Sequence, residues 1–258
     1  MQDIKIVFFD IDGTLIDMEK KKISEKTLDA LIRLQKNGIR ICLATGRCPV
    51  CLPAFPGVEF DACLTFNGSY CFSGPETVYS RPIPPEDVQI LLRNAAAMGR
   101  PVAIATKDRL EANGTDEDLT TYYGFSGFTP HIPEDFDDVA GGEVYQVMLG
   151  CREAEYPALL KDTRGVKIAA WWDRAVDVIP MGGGKGSGIR EILAYFGLEK
   201  DQAMAFGDGN NDIEMLQAVG TGVAMENASV QLKAVAADVC GHVANDGIYH
   251  YCLERGLI

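Results

Sequence analysis

The sequence lacks a long hydrophobic run and has few basic residues. No stretch of the 258 residues approaches the length of a membrane span, and the N-terminal MQDIKIVFFDIDG lacks the cleavage site of a secretory signal. These absences predict a cytoplasmic protein that does not cross a membrane. Acidic residues outnumber basic ones by 37 to 24, which gives a net charge of −13. That balance argues against nucleic acid and anionic membrane surfaces as partners, because both attract basic proteins.

Metal-binding histidine clusters are also missing, since the three histidines are scattered and match no motif. The eight cysteines lie mostly in apolar runs such as ICLAT and DACLTF, where cysteine behaves as a small buried hydrophobe. Cys48 and Cys51 form a CxxC pattern, but no second pair or nearby histidine cluster completes a zinc site. The pattern therefore favours a loop with two incidental thiols, and a redox role is the alternative.

Short apolar runs alternate with helical patterns in the two terminal parts of the chain. The alternation predicts an α/β protein with a Rossmann-like parallel sheet. The predicted strands are 4–9, 39–44, 62–66, 203–206 and 220–225, and the predicted helices are 23–38, 185–197 and 230–237. Ligands of such sheets bind beyond the carboxyl ends of the strands.

The middle of the chain has a different pattern, which predicts an α+β insertion. Its predicted elements are helices 85–99 and 153–162, strands 101–106 and 143–150, and a hairpin over 166–180. The polar stretch 108–142 has no predicted element. The resulting division is a core of residues 1–81 and 181–258 and an inserted domain of residues 82–180. Trp171, Trp172 and Asp173 near the hairpin turn are candidates to contact a ligand, although tryptophans of a strand often lie in a core.

The stretch VFFDIDGTLI at 7–16 places two carboxylates at the end of an apolar strand. Residues two apart in an extended chain project to the same side, so Asp10 and Asp12 face one reactant. Burying both acids is costly unless a cation or a reaction requires them there. A strand end followed by an aspartate turn is the alternative.

Three further segments follow predicted strands or begin a helix. Thr45 and Gly46 offer a hydroxyl and a backbone N–H that suit an oxyanion, although many loops contain this pair for turn reasons. Lys185 begins a helical pattern, where a lysine opposes the helix dipole. Its surroundings, MGGGKGSG, do not fit a P-loop, because Ile179 and Gly186 replace the required glycine and hydroxyl residue. In GDGNND at 207–212, acids and amides in a glycine-rich turn suit Mg²⁺.

Taken together, these four segments resemble the motifs of the haloacid dehalogenase (HAD)-like hydrolases. DIDGT at 10–14, Thr45, Lys185 and GDGNND at 207–212 match the four motifs in order. The insertion after the second motif resembles a C2-type cap. The sequences ATGR at 44–47 and TFNGS at 65–69 are similar to those of the Cof-type sugar-phosphate phosphatases.

The resemblance implies a phosphatase that acts on small phosphorylated metabolites through an aspartyl-phosphate. Asp10 would be the nucleophile and Asp12 the general acid and base. Mg²⁺ would be held by Asp10, by the Asp12 backbone carbonyl and by Asp208, with Asp212 as a supporting residue or additional ligand. The implied phosphate-binding residues are Ile11, Thr45, Gly46, Lys185 and Asn211.

Two other functions are compatible with the same residues. A phosphomutase would return the phosphoryl group to its substrate, as some capped relatives do. A non-catalytic sugar-phosphate-binding protein is less favoured, because a binding module needs neither the nucleophile nor the acid. The sequence does not determine the physiological substrate or the oligomeric state.

Overall fold

The computed structural model describes residues 3–125, 127–170 and 172–258, which separate into two compact units. The first unit contains the residues up to Thr45, Pro53–Tyr79 and Gly184–Ile258, and the second contains Gly46–Leu52 and Ser80–Gly183. The segment after Thr45 therefore groups with the second unit rather than with the first. The division into a core of 1–81 and 181–258 and a cap of 82–180 stays a proposal.

An eight-stranded sheet forms the centre of the first unit. In spatial order its strands are β13 (Asp238–Val239), β12 (Thr221–Ala224), β11 (Ala203–Gly207), β1 (Ile6–Phe9), β2 (Arg40–Ala44), β3 (Ala62–Thr65), β4 (Tyr70–Ser73) and β5 (Glu76–Ser80). The pairs from β13 to β3 are parallel, and β4 is antiparallel to β3. The predicted α/β fold class is therefore confirmed, and the β4–β5 extension was not predicted.

The helices of the first unit follow the hydrophobic periodicity of the sequence. They are α1 (Glu25–Lys36), α6 (Lys185–Phe196), α7 (Ile213–Ala218), α8 (Val230–Val235) and α9 (Gly247–Glu254). Helix α1 begins where the Ser24 hydroxyl accepts the Thr27 N–H, and it ends before Gly38, whose φ of 78° favours glycine. Prediction of this helix from its apolar spacing is confirmed.

The second unit contains an antiparallel five-stranded sheet with its own apolar core. The strands in order are β7 (Leu110–Ala112), β6 (Ala103–Ala105), β8 (Gln146–Gly150), β10 (Ala175–Pro180) and β9 (Val166–Ala169). The helices are α2 (Pro85–Ala97), α3 (Glu117–Phe125), α4 (Phe136–Ala140) and α5 (Tyr156–Leu159). The predicted α+β character is confirmed, and β9 and β10 form the predicted hairpin. Strand β7 and helices α3 and α4 lie in 108–142, for which the sequence pattern predicted no particular element.

Among the described residues, no helix is both long and apolar enough to cross a membrane. The cytoplasmic location stays a prediction.

Candidate active site

The register of β1 with its two neighbours brings two aspartates to one edge of the first sheet. Phe9 lies opposite Phe206 of β11, and their rings stack with centroids 5.4 Å apart. Asp10 follows Phe9 directly, and its N–H donates to the Phe206 carbonyl over 3.0 Å. Asp208 lies two residues beyond Phe206, so the parallel strands place both acids at their carboxyl ends.

Lys185 is fully buried and bridges two carboxylates of this edge. Its Nζ donates to Asp10 Oδ1 over 2.6 Å and to Asp212 Oδ1 over 2.5 Å. Burial acts to lower the pKa of Lys185, but the charges of Asp10 and Asp212 outweigh it and raise this pKa above its usual range. The lysine therefore stays charged although it begins helix α6, where the helix dipole disfavours a cation.

Three aspartates converge around this ammonium group. One carboxylate oxygen each from Asp10, Asp208 and Asp212 lies within 4.8 Å of the others. Burial, together with the charges of Asp212 and Asp12, raises the pKa of Asp10 from 3.8 to about 7, against the opposing effect of Lys185. Burial and the charges of Asp10 and Asp212 also raise the pKa of Asp208 well above its ordinary value. One lysine does not neutralise so many acids, and the excess negative charge suits a bound cation.

Asp212 uses both carboxylate oxygens within the protein. Oδ1 accepts from Lys185, and Oδ2 accepts the backbone N–H groups of Asp208 and Gly209, each over 3.0 Å. Its carboxylate is fully buried. The geometry favours the supporting role predicted for Asp212 over that of a direct metal ligand.

The turn after β1 allows Asp208 to approach the first motif closely. Gly13 has a φ of 88°, and a Cβ at this position would lie 2.2 Å from Asp208 Oδ2. The Thr14 hydroxyl donates to Asp208 Oδ1 over 3.1 Å. Asn227, which the sequence analysis missed, donates its side-chain N–H to the Gly13 carbonyl over 2.7 Å and so fixes the turn.

The two residues between Asp10 and Gly13 belong to the same turn. The Ile11 carbonyl accepts the N–H groups of Leu15 and Ile16 over 3.0 and 2.8 Å, which folds the chain back on itself. Asp12 is half-buried, and its charge acts on Asp10. The predicted pairing of the two acids on one side of the chain is consistent with this interaction.

Asn67 connects three of the segments that were predicted to contact phosphate. Its N–H donates to the Thr45 carbonyl and its carbonyl accepts the Gly184 N–H, both over 2.9 Å. Its Oδ1 accepts from the Asn211 side chain over 3.1 Å. Asn67 adopts a left-handed backbone with a φ of 53° and is buried. Asparagine before glycine is a signal for such a conformation, but this local signal does not by itself assign Asn67 a role in the site.

Other predicted residues belong to the second unit. Gly46 belongs to the second unit, so its phosphate contact stays a prediction. Trp172 stacks on Tyr122 with centroids 6.3 Å apart and meets Phe125 edge-on at 5.1 Å. Asp173 is exposed, and Trp171 lies outside the described residues.

Comparison with known proteins identifies the class. A family model described as haloacid dehalogenase-like hydrolase matches residues 7–252. The chain therefore belongs to this family of hydrolases, as its four motifs suggested, and it is an enzyme of the phosphatase class.

Particular relatives extend over nearly the whole chain. A putative phosphatase of Bacillus subtilis, YkrA, is 32% identical and the match covers 99% of each protein. An HMP-PP phosphatase of Yersinia pestis is 29% identical over 96% of this chain and 93% of its own. Among solved structures, the HAD subclass IIB sugar phosphatase BT4131 is 32% identical, superposes with a TM-score of 0.89, and the match covers 98% of this chain and all of that one.

Proposed function

We propose that the protein is a Mg²⁺-dependent phosphomonoester hydrolase that works through an aspartyl-phosphate intermediate. One observation carries the proposal. The buried ammonium group of Lys185 donates a hydrogen bond to Asp10, and the carboxylate of Asp208 lies next to that of Asp10. A buried carboxylate held by a lysine and facing further acids is suited to nucleophilic attack on a phosphate only if its excess negative charge is balanced.

The donor set fits a divalent cation with a preference for oxygen ligands. Asp10 and Asp208 supply carboxylate oxygens, and the backbone carbonyl of Asp12 is the third proposed ligand. No nitrogen or sulfur donor belongs to the acidic cluster, which favours Mg²⁺ over zinc. When bound, the cation supplies charge neutralisation for the phosphate oxygens and keeps the Asp10 carboxylate ionised.

The chemistry of the chain's own residues follows in two steps. An oxygen of Asp10 attacks phosphorus, and the bond from phosphorus to the leaving alcohol breaks while Asp12 donates a proton to the departing oxygen. Asp12, now ionised, then accepts a proton from a water molecule that attacks the aspartyl-phosphate. This second step releases inorganic phosphate and restores Asp10.

Lys185 has two functions in this proposal. It neutralises part of the charge that collects as the phosphate approaches Asp10, and it holds the carboxylate in position through its second contact with Asp212. Thr45, Gly46, Asn211 and the backbone N–H groups near Ile11 are the proposed contacts of the other phosphate oxygens. The hydrogen bonds of Asn67 orient the segments of Thr45, Lys185 and Asn211.

The proposed substrates are small phosphorylated metabolites, with sugar phosphates as the expected class. The support comes from relatives, one of which is named a sugar phosphatase and another an HMP-PP phosphatase. Residues 82–180 are proposed as the cap that selects the leaving group.

A phosphatase panel tests this function directly. We expect the purified protein to release inorganic phosphate from sugar phosphates with Mg²⁺, and to lose at least about 99% of this activity in excess chelator, because metal charge stabilisation is worth several kcal/mol. Nucleotides and pyridoxal phosphate complete the panel. Undiminished turnover in chelator would contradict the metal requirement, and an isomeric sugar phosphate without free phosphate would indicate a mutase.

The role of Asn67 is tested by removing its side chain. Asn67→Gly keeps the left-handed backbone accessible but removes the acceptor for Asn211. We expect the KM for the best substrate to rise about tenfold, which corresponds to about 1.4 kcal/mol and lies within the range for one lost hydrogen bond. Steady-state kinetics and thermal unfolding measure the two effects.

A control for Asn67 is available in the same unit. Asn37→Gly removes an exposed side chain that donates to the Leu257 carbonyl. We expect it to leave KM unchanged. An unchanged KM in Asn67→Gly would show that the segment of Asn211 is positioned without this side chain.

A further inference from the structure

Cys48 and Cys51 are a pair of thiols that the proposed reaction does not use. They flank one turn of 3₁₀-helix, Pro49–Cys51, with the Cys51 N–H donating to the Cys48 carbonyl over 3.0 Å. The two thiols are also close enough for each to shift the pKa of the other. Both residues are nearly buried, with 4% and 6% of their surface exposed.

The two thiols differ from the other six cysteines in their electrostatics. The hydrogen bond from Cys48 and the nearby charge of Arg47 lower the pKa of Cys51, although burial opposes them. The hydrogen bond and burial raise the pKa of Cys48. Burial raises the pKa of each of the others, Cys42, Cys63, Cys71, Cys151, Cys240 and Cys252. Within this chain, Cys51 is thus the thiol that forms a thiolate most readily, and the thiol of Cys48 lies on the same turn, three residues earlier.

We propose that Cys48 and Cys51 are a dithiol site that a small disulfide such as glutathione disulfide oxidises to an intramolecular disulfide. The Cys51 thiolate attacks one sulfur of glutathione disulfide, forms a mixed disulfide and releases one glutathione thiolate. Cys48 then loses its proton and attacks the Cys51 sulfur, which releases the second glutathione. Two electrons pass from the protein thiols to the small disulfide, and one bond between Cys48 and Cys51 forms.

The position of Cys48 and Cys51 in the sequence suggests that a disulfide between them affects catalysis. This inference rests on the proposed function. Cys48 follows Gly46 by two residues in the segment that carries on from Thr45. A disulfide holds its sulfurs about 2 Å apart, closer than any hydrogen-bonded thiols, so the turn must tighten when the bond forms. Displacements of about 1 Å in a segment that positions substrate lower rates by up to 100-fold. We therefore expect oxidation to reduce kcat/KM at least about fivefold.

Mass spectrometry tests the disulfide independently of activity. The enzyme is equilibrated with glutathione buffers, including one with a potential of about −180 mV, and is then acid-quenched and alkylated. Trypsin alone leaves four cysteines on one peptide, but added cleavage after Glu59 releases residues 48–59, which contain only Cys48 and Cys51. We expect this peptide to be unalkylated and lighter by two hydrogen atoms in the oxidising buffer, and doubly alkylated after reduction.

Serine variants supply the controls. Cys63→Ser should oxidise like the wild type, whereas Cys48→Ser and Cys51→Ser should not form the bond and should keep their kcat/KM in oxidising buffer.

A doubly alkylated peptide at about −180 mV, or a bond to any other cysteine, would overturn the proposal. An unchanged kcat/KM in fully oxidised enzyme would overturn the link to catalysis. Absence of activity in the reduced enzyme would instead contradict the proposed function, and the peptide would still decide the disulfide.

Discussion

We expect Asp10→Asn to abolish turnover and to leave the fold intact. We expect kcat to fall on the order of 10⁴- to 10⁶-fold, because losses of that size follow removal of a nucleophile that forms a covalent intermediate. The amide that replaces the carboxylate cannot form the aspartyl-phosphate. Phosphate release under saturating substrate measures the loss, and mass spectrometry excludes deamidation back to aspartate.

The stability of this variant follows from the pKa of the carboxyl that it removes. The pKa of Asp10 is raised from 3.8 to about 7, so the folded protein binds this proton more tightly than the unfolded chain. A group of this kind stabilises the fold below its unfolded pKa, and the contribution is lost as the pH rises through the folded pKa. Asparagine does not ionise, so we expect the metal-free variant to be at least as stable as the wild type above about pH 7.

A matched substitution separates the nucleophile from a general effect of lost charge. Asp29→Asn changes an exposed aspartate of helix α1 whose nearest cation, Arg33, is 3.8 Å away. Its kcat should equal that of the wild type. An Asp10→Asn enzyme that keeps more than about 1% of turnover would assign the nucleophile to another group.

Lys185→Met is expected to impair both activity and stability. Methionine fills a similar volume but leaves Asp10 and Asp212 without their shared cation in a fully buried position. Removal of one partner from a buried ion pair costs about 3–5 kcal/mol, and the loss of preorganised charge at the phosphate costs about 10²- to 10³-fold in kcat. Denaturant unfolding and steady-state kinetics measure these two losses.

The pH dependence of this destabilisation has a definite sign. Without the ammonium group the pKa of Asp10 rises further, because burial and the neighbouring acids then act unopposed. The variant should therefore be destabilised more at about pH 8, where the Asp10 carboxyl must ionise, than at about pH 5, where it keeps its proton. The exposed Lys36→Met is the control and should show neither effect. Equal destabilisation at both pH values would mean that methionine disturbs packing rather than charge.

The sequence predicted the first unit well because its elements are determined locally. Helix α1 has a side-chain cap, an apolar stripe and a glycine after its end, all of which are visible in the residues. The hairpin of β4 and β5 was missed although Gly74 and Pro75 separate two short segments that contain aromatic or β-branched residues. The turn residues that predict this hairpin are therefore visible in the sequence.

Helix α3 in the second unit was missed for a different physical reason. Its buried face includes Asp118, whose carboxylate accepts hydrogen bonds from Arg152 and Arg174. A buried charge breaks the apolar periodicity from which helices are predicted. Its compensation comes from residues far along the chain, which the local pattern does not contain.

The same distinction applies to the candidate site. Asp10, Lys185 and Asp208 were identifiable because each follows a strand or begins a helix within a recognisable motif, and the structure brings them together. Asn67 and Asn227 act through hydrogen bonds with backbone groups of remote segments. Such contacts depend on the folded positions of both partners, so the sequence alone did not assign them.

The lack of a side chain at residue 13 restricts how this gene can evolve. Every other amino acid would add a Cβ atom only 2.2 Å from Asp208 Oδ2. A residue with a side chain at this position is therefore compatible with the site only if Asp208 shifts.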